Sequence, residues 1–138
     1  MKKPAVRRDP AKNQARILAA ATEEFARHGL GGARVDRIAA RAGANKRMLY
    51  YYYGNKDDLF LAVLEASYAG IRSAERALRL EDLDPREAMR RLVAFTWDYY
   101  LKHPEFLTLL NSENLHRGRH VKRSKEIVAM HSPFVAMI

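Results

Sequence analysis

The apolar positions of this chain recur at helical spacing along most of its length, and nowhere do they alternate as a half-buried strand requires. Ile17, Leu18, Ala21 and Phe25 mark the inner face of a first helix over about 13–28, which Gly29 stops. Val35, Ile38, Ala39 and Ala42 form the stripe of a short second helix over 35–42. Gly43 then makes a turn, and Asn45 caps a third helix through its side-chain oxygen. Asn55 opens a fourth helix, with Lys56, Asp57 and Asp58 behind it and the two acids placed where the helix dipole favours negative charge. Its stripe of Leu59, Phe60, Val63 and Leu64 continues through Tyr68 and Ile71 toward Leu80. Asp84, Pro85 and Glu87 restart the chain as a capping-box pattern with proline at the first helical position. The fifth helix carries Met89, Leu92, Val93, Trp97 and Tyr100 and ends near His103 and Pro104. A sixth spans about 105–115 and a further one about 121–131, followed by a proline-started turn at Ser132 and Pro133. The pattern predicts an all-α protein.

The segment from Val35 to Lys56 has the layout of a helix-turn-helix. Ile38 and Ala39 lie on the inner face of one helix and Leu49 faces back from the next. Gly43 supplies the positive φ that such a turn needs without steric cost. At 100° per residue, Lys46, Arg47, Tyr50 and Tyr51 fall within one sector of about 140°, opposite Met48, Leu49 and Tyr52. One face is cationic and aromatic and suits the major groove, with charge and hydroxyls for phosphates and long side chains for base edges. Arg47, whose fork can bond both acceptors of a guanine, is the first candidate for base readout, and Lys46 suits base or phosphate. Tyr52 and Tyr53 are expected to pack inside.

Charge sharpens this picture. The net charge is +9, and residues 1–60 hold 13 Lys/Arg against 6 Asp/Glu while residues 61–138 hold 12 against 10. The positive field therefore sits with the helix-turn-helix and favours a polyanion through counterion release. Residues 1–12, with Pro4, Pro10 and five basic residues, are expected to form a flexible arm, residues 13–60 a DNA-binding domain, and residues 61–138 a second helical domain. The 138 residues hold no cysteine, which excludes disulfides and thiolate metal sites. The longest apolar run, Leu59 to Leu64, is too short to span a bilayer, and no signal peptide is evident. A cytoplasmic protein is expected, with no membrane partner, cofactor or metal. No nucleophile elbow, phosphate-binding glycine loop or promising carboxylate pair points to an enzyme. His116 and His120 straddle Gly118 and are expected to be an ordinary surface pair. The run Arg117, Arg119, Lys122, Arg123 and Lys125 is expected to be a solvated loop between helices rather than a second nucleic-acid contact. The chain stops at Ile138 inside an apolar pattern without a cap, from which further helices are expected beyond it.

Over about 17–64 the sequence resembles the DNA-binding domain of the tetracycline-repressor (TetR) family of bacterial transcriptional regulators. The resemblance rests on Val35, Ile38, Ala39, Ala42 and Gly43, on the Leu49 and Tyr50 pair, on Tyr53, and on Lys56 ahead of Leu59. It implies a homodimer that binds palindromic operator DNA through its N-terminal domain, with a more variable C-terminal domain for a small-molecule effector and dimerisation. The most direct function is a repressor that its effector releases from the operator; the alternative is a sequence-independent nucleic-acid-binding protein. Lys46, Arg47, Tyr50 and Tyr51 align with family positions near bases and phosphates, and Lys56 with a phosphate-contacting lysine. Arg34 stands where a capping threonine is usual and is assigned a phosphate instead; Asn45 replaces a common serine. Gly54 replaces a frequent proline and is expected only to loosen the turn. Family effector sites point to Met89, Val93, Phe95, Trp97, Tyr99, Tyr100, Phe106 and Leu110, between the fifth, sixth and seventh helices, although such residues at helical spacing are more often plain core.

Overall fold

The structure, a computed structural model, describes residues 9–130, and all regular elements among them are helical. They are α1 (Pro10–Gly32), α2 (Val35–Ala42), α3 (Lys46–Tyr53), α4 (Lys56–Arg76), a 3₁₀ turn (Leu80–Asp82), α5 (Pro85–Lys102), α6 (Pro104–Leu115), α7 (Arg119–Arg123) and α8 (Lys125–Ala129). The caps expected of Asn45, Asn55 and Asp84 form. Asn45 accepts from the Met48 N–H and Asn55 from the Asp58 N–H, both at 2.8 Å, and Asp84 accepts from the N–H groups of Arg86 and Glu87.

Four boundaries differ from the sequence pattern. α4 ends at Arg76, and Leu80, toward which its apolar stripe runs, sits in the separate 3₁₀ turn after Arg79 takes left-handed geometry. Asp9 caps α1 with Pro10 behind it, so residues 10–12 are helical rather than part of an arm; residues 1–8 of that arm lie outside the described residues. Gly29, at φ 68° and ψ 177°, breaks α1 without ending it, and a last turn follows. The Leu30 N–H, which the break takes out of the helical ladder, is bonded by the Ser112 hydroxyl of α6 at 3.0 Å. The expected helix over 121–131 is two short ones, because Ser124 leaves helical geometry and caps α8 by accepting from the Ile127 N–H. The turn at Ser132 and Pro133 lies outside the described residues.

One core unites α1–α4 with parts of the second half. Ile17, Phe25, Ile38, Leu49, Phe60 and Leu64 share it with Leu109 of α6 and Ile127 of α8. Phe25 meets Phe60 edge-on, with centroids 5.0 Å apart. α6 packs along α1, and α7 and α8 lie on α4. The helix-turn-helix is thus held from behind by the C-terminal half. A smaller cluster, Leu80 and Ala88 with Leu78, Leu83 and Leu92, seats the start of α5. No described helix is long and apolar enough to cross a membrane.

Candidate nucleic-acid interface

Helix α3 buries one residue fully, rests Met48, Tyr52 and Tyr53 against the core, and exposes its outer face. Leu49 is 1% exposed, within the core. Lys46, Arg47, Tyr50 and Tyr51 are exposed, Tyr51 at 81% and Tyr50 at 45%. Tyr52 and Tyr53 are half-buried: the Tyr52 hydroxyl accepts from Asn13 at 3.4 Å and the Tyr53 hydroxyl donates to the Gln14 carbonyl at 3.1 Å. Both pin α3 to α1. Burial raises the Tyr53 phenol above its ordinary pKa. Gly43 ends α2 at φ 65°, the left-handed geometry a close helix-helix turn demands.

Between α3 and α4, Gly54 has φ 87° and ψ −68°. Proline, fixed near −65°, cannot adopt that φ. A Cβ there would also meet Asp58 Oδ2 at 2.9 Å. Gly54 therefore sets the turn that places Lys56 at the head of α4, and the expectation that it only loosens the turn is corrected.

Arg34 precedes α2 without a side-chain cap bond. Its exposed guanidinium pairs with Asp36 at 3.4 Å, and its backbone N–H donates to Glu24 at 2.9 Å. Glu24, 1% exposed, also receives Arg37 Nε at 2.9 Å, while its other oxygen faces His28 Nε2 at 3.9 Å. Burial acts to raise the Glu24 pKa, but the Arg34 N–H and the Arg37 guanidinium outweigh it and hold the carboxyl below its usual range. This clasp fixes the entry of α2. It has a trace in the sequence, since Glu24 falls on the helical stripe of Ile17, Ala21 and Phe25, where a lone carboxylate demands partners.

The second basic run is organised very differently from the expected loop. Much of it forms α7, which packs on the first turns of α4: Arg119 pairs with Asp57 at 3.2 Å and Arg123 with Asp58 at 3.6 Å. His120 is 1% exposed, so the expectation of a surface histidine pair is corrected. Its Nδ1 lies 2.7 Å from Glu113 and its Nε2 2.9 Å from Asp57. Its hydrogen bond, foremost, and its charge hold the Asp57 carboxyl below its usual pKa against the effect of burial. No group of three or more His, Cys, Asp or Glu among the described residues has the arrangement of a metal site. Nothing local in the sequence marks this contact, since Asp57 lies 63 residues from His120.

A cavity of about 360 Å³ lies between α4, α5 and α6 rather than between the fifth, sixth and seventh helices. Tyr100, Phe106 and Leu110 line it with Tyr68, Phe95 and the Arg72–Glu75 ion pair of α4, whose separation is 2.7 Å. Met89, Val93 and Trp97 do not line it; they are exposed on α5, Trp97 at 68%. Their spacing of four residues places them on a different stripe of α5 from Leu92, Thr96 and Tyr100, which face the cavity.

Residues 17–63 match the sequence profile of the tetR family of bacterial regulatory proteins, and residues 85–138 that of the tetracyclin repressor-like C-terminal domain. The transcriptional repressor NicS of Pseudomonas putida is 47% identical over 122 residues, covering 88% of this chain and 58% of NicS. The transcriptional repressor SCO4008 of Streptomyces coelicolor is 45% identical over 111 residues, covering 80% of this chain and 54% of the relative. The chain thus spans little more than half the length of these relatives. Among solved structures, the transcriptional regulator SCO4942 of Streptomyces coelicolor superposes with a TM-score of 0.65 at 32% identity, covering 80% of this chain and 57% of that one. A TetR-like regulator from Rhodococcus sp. RHA1 superposes with a TM-score of 0.66 at 27% identity, over 86% of this chain and 70% of its own. With profiles for both halves of the family matched in chain order, on an all-helical fold that presents a helix-turn-helix, the chain belongs to the TetR family.

Proposed function

We propose that this chain carries the DNA-binding part of a homodimeric, cytoplasmic transcriptional repressor. Residues 13–60 contact operator DNA, and residues 61–138 contribute to an effector-binding and dimerisation domain. The observation that carries this is the outer face of α3, where Lys46, Arg47, Tyr50 and Tyr51 are exposed together while Leu49 locks the helix from behind. Arg47 reads a base edge, Lys46 a base or phosphate, and Tyr50 and Tyr51 line the groove. Lys56, at the positive end of the α4 dipole, holds a phosphate. Arg34, already paired with Asp36, contributes a weaker phosphate contact. Two copies present α3 to successive major grooves, roughly 34–36 Å apart on B-DNA.

The cavity between α4, α5 and α6 is the proposed effector site, and its volume of about 360 Å³ suits a small molecule. Because α4 lines the cavity and also bears Lys56, a ligand that fits one setting of α4 better weakens operator binding, and operator weakens the ligand by the same factor. Titration of duplexes enriched from a random library, alongside unselected duplexes and at several salt concentrations, tests the proposal. A palindromic preference is expected; equal affinity for every sequence overturns it.

A further inference from the structure

His120 couples the C-terminal half to the DNA-facing end of α4, and its chemistry makes that coupling depend on a proton. Both ring nitrogens face carboxylates: Nδ1 the buried Glu113 at 2.7 Å and Nε2 Asp57 at 2.9 Å. A neutral imidazole has only one N–H and ionised carboxylates only accept, so with Glu113 and Asp57 both ionised the two bonds form together only when His120 is an imidazolium. The second oxygen of Glu113 accepts the Val121 N–H, which fixes that carboxylate at the start of α7. The His120 ring also meets Phe60 edge-on at 5.1 Å, one turn beyond Asp57.

The groups around the ring agree with a cation held there. From α4 it faces Asp57, while the other acids of that helix on the α7–α8 side are engaged elsewhere, Asp58 pairing with Arg123 and Glu65 accepting from Ser124. From α6 it faces Glu113 and, at a centroid distance of 6.5 Å, His116. Arg119 of α7 shares the same Asp57 oxygen, while Lys125 and Glu126 of α8 are exposed. The two bonds are not equivalent. The Glu113 side chain is 3% exposed and shielded from solvent, whereas that of Asp57 is 50% exposed and also pairs with Arg119. When the proton leaves, it leaves to solvent from Nε2, and the lone pair left behind faces the Asp57 carboxylate. Loss of the proton therefore cuts the link to α4 and spares the link to α6.

Asp57 follows Lys56 directly, and backbone bonds link α3 to α4 through the turn: the Gly54 N–H to the Tyr50 carbonyl and the Asn55 N–H to the Tyr53 carbonyl on one side, and the Leu59 N–H to the Asn55 carbonyl on the other. We propose that His120, as an imidazolium bridging Glu113 to Asp57, is a positioning residue that holds the first turn of α4 for DNA, so that operator affinity falls when it deprotonates. The inference rests on the DNA-binding function proposed above.

The test uses a duplex enriched by the wild-type chain from a random library, with affinity measured by fluorescence anisotropy across pH 6 to 9 at fixed ionic strength. Nitrogen-15 NMR of the histidine rings runs alongside. Wild-type affinity is expected to drop by about fivefold or more as pH rises, with a midpoint matching the His120 ring titration. His120→Gln is expected to bind more weakly than wild type at low pH, and both His120→Gln and Asp57→Asn are expected to lose that pH dependence. Asp57→Asn changes a half-exposed side chain that remains compatible with the fold. A ring that is neutral at pH 6, or a wild-type pH profile retained in Asp57→Asn, overturns the inference. Failure to enrich any duplex overturns instead the DNA-binding function on which it rests.

Discussion

The chain has two short basic helices that look interchangeable as sequence, Lys46-Arg47 at the start of α3 and the Arg119–Arg123 stretch of α7, and the fold gives them opposite electrostatic fates. Lys46 and Arg47 enter no ion pair among the described residues; burial acts to raise the Asp36 carboxyl, Arg34 chiefly holds it below its usual range, and Lys46 adds only a minor pull. Arg119 and Arg123 are instead matched by Asp57 and Asp58, and His120 by Asp57 and Glu113. A positive charge with no acid beside it keeps its field for a phosphate, whereas a paired one is spent within the protein. Net charge thus locates a nucleic-acid face only after internal pairs are subtracted.

The contrast depends on α3 being held rigidly from behind. Leu49→Ala is expected to have the largest effect, destabilising the fold by about 2–5 kcal/mol because it opens a cavity at a fully buried position. Denaturant unfolding measures it. Arg47→Ala should stay within about 0.5 kcal/mol of wild type in the same assay, as an exposed and unpaired side chain does. Equal losses for the two would mean that the outer face of α3 is structural.

A held cation can also be set free. Glu24→Gln takes the charge from the clasp on Arg37 and the Arg34 N–H, and an expected cost of about 1.5–3 kcal/mol follows from losing hydrogen bonds to a charged group. The pH dependence has a definite sign. The folded Glu24 carboxyl lies below its unfolded value, so its stabilisation is complete above the ordinary carboxylate range and disappears as pH falls through the lowered folded value. Acid titration of stability should therefore be less steep in Glu24→Gln than in wild type; unchanged steepness would remove Glu24 from the account.

On DNA, Arg47→Ala should cost about 1–3 kcal/mol on the preferred duplex and relax base preference at one position. Lys56→Ala should weaken all duplexes alike and reduce the salt slope by about one. If Arg47→Ala leaves sequence preference intact, base readout belongs to another residue of that face.

How far the sequence exposes these features depends on how local they are. The caps at Asn45, Asn55 and Asp84, the turn at Gly43 and the inward Leu49 are decided within four or five residues, so helical spacing suffices to find them. Gly54 was open to misreading because its positive φ is imposed by the path from α3 to α4, not by its neighbours in sequence. The split at Ser124 and the burial of His120 depend on α4, some sixty residues earlier. Periodicity also describes α5 poorly: it carries two apolar stripes, and only contact with α4 and α6 distinguishes Tyr100, on the cavity, from Trp97, in the open.

The smallest expected effect gives the sharpest form of the comparison. Arg119 and Arg123 are more than half exposed, and their partners Asp57 and Asp58 nearly or fully half exposed, so each pair contributes only about 0–1 kcal/mol to stability. Replacing either arginine by alanine should hardly move the unfolding midpoint, and screening by salt should erase what difference there is. The two helices then separate on DNA rather than in folding. Lys46→Ala should flatten the dependence of affinity on salt by about one counterion, whereas Arg119→Ala should leave that slope in place, because its charge is already matched by Asp57. A slope that falls equally in both variants would show that α7 gives up its acidic partner to reach the phosphate backbone, and the two helices would then form one continuous interface.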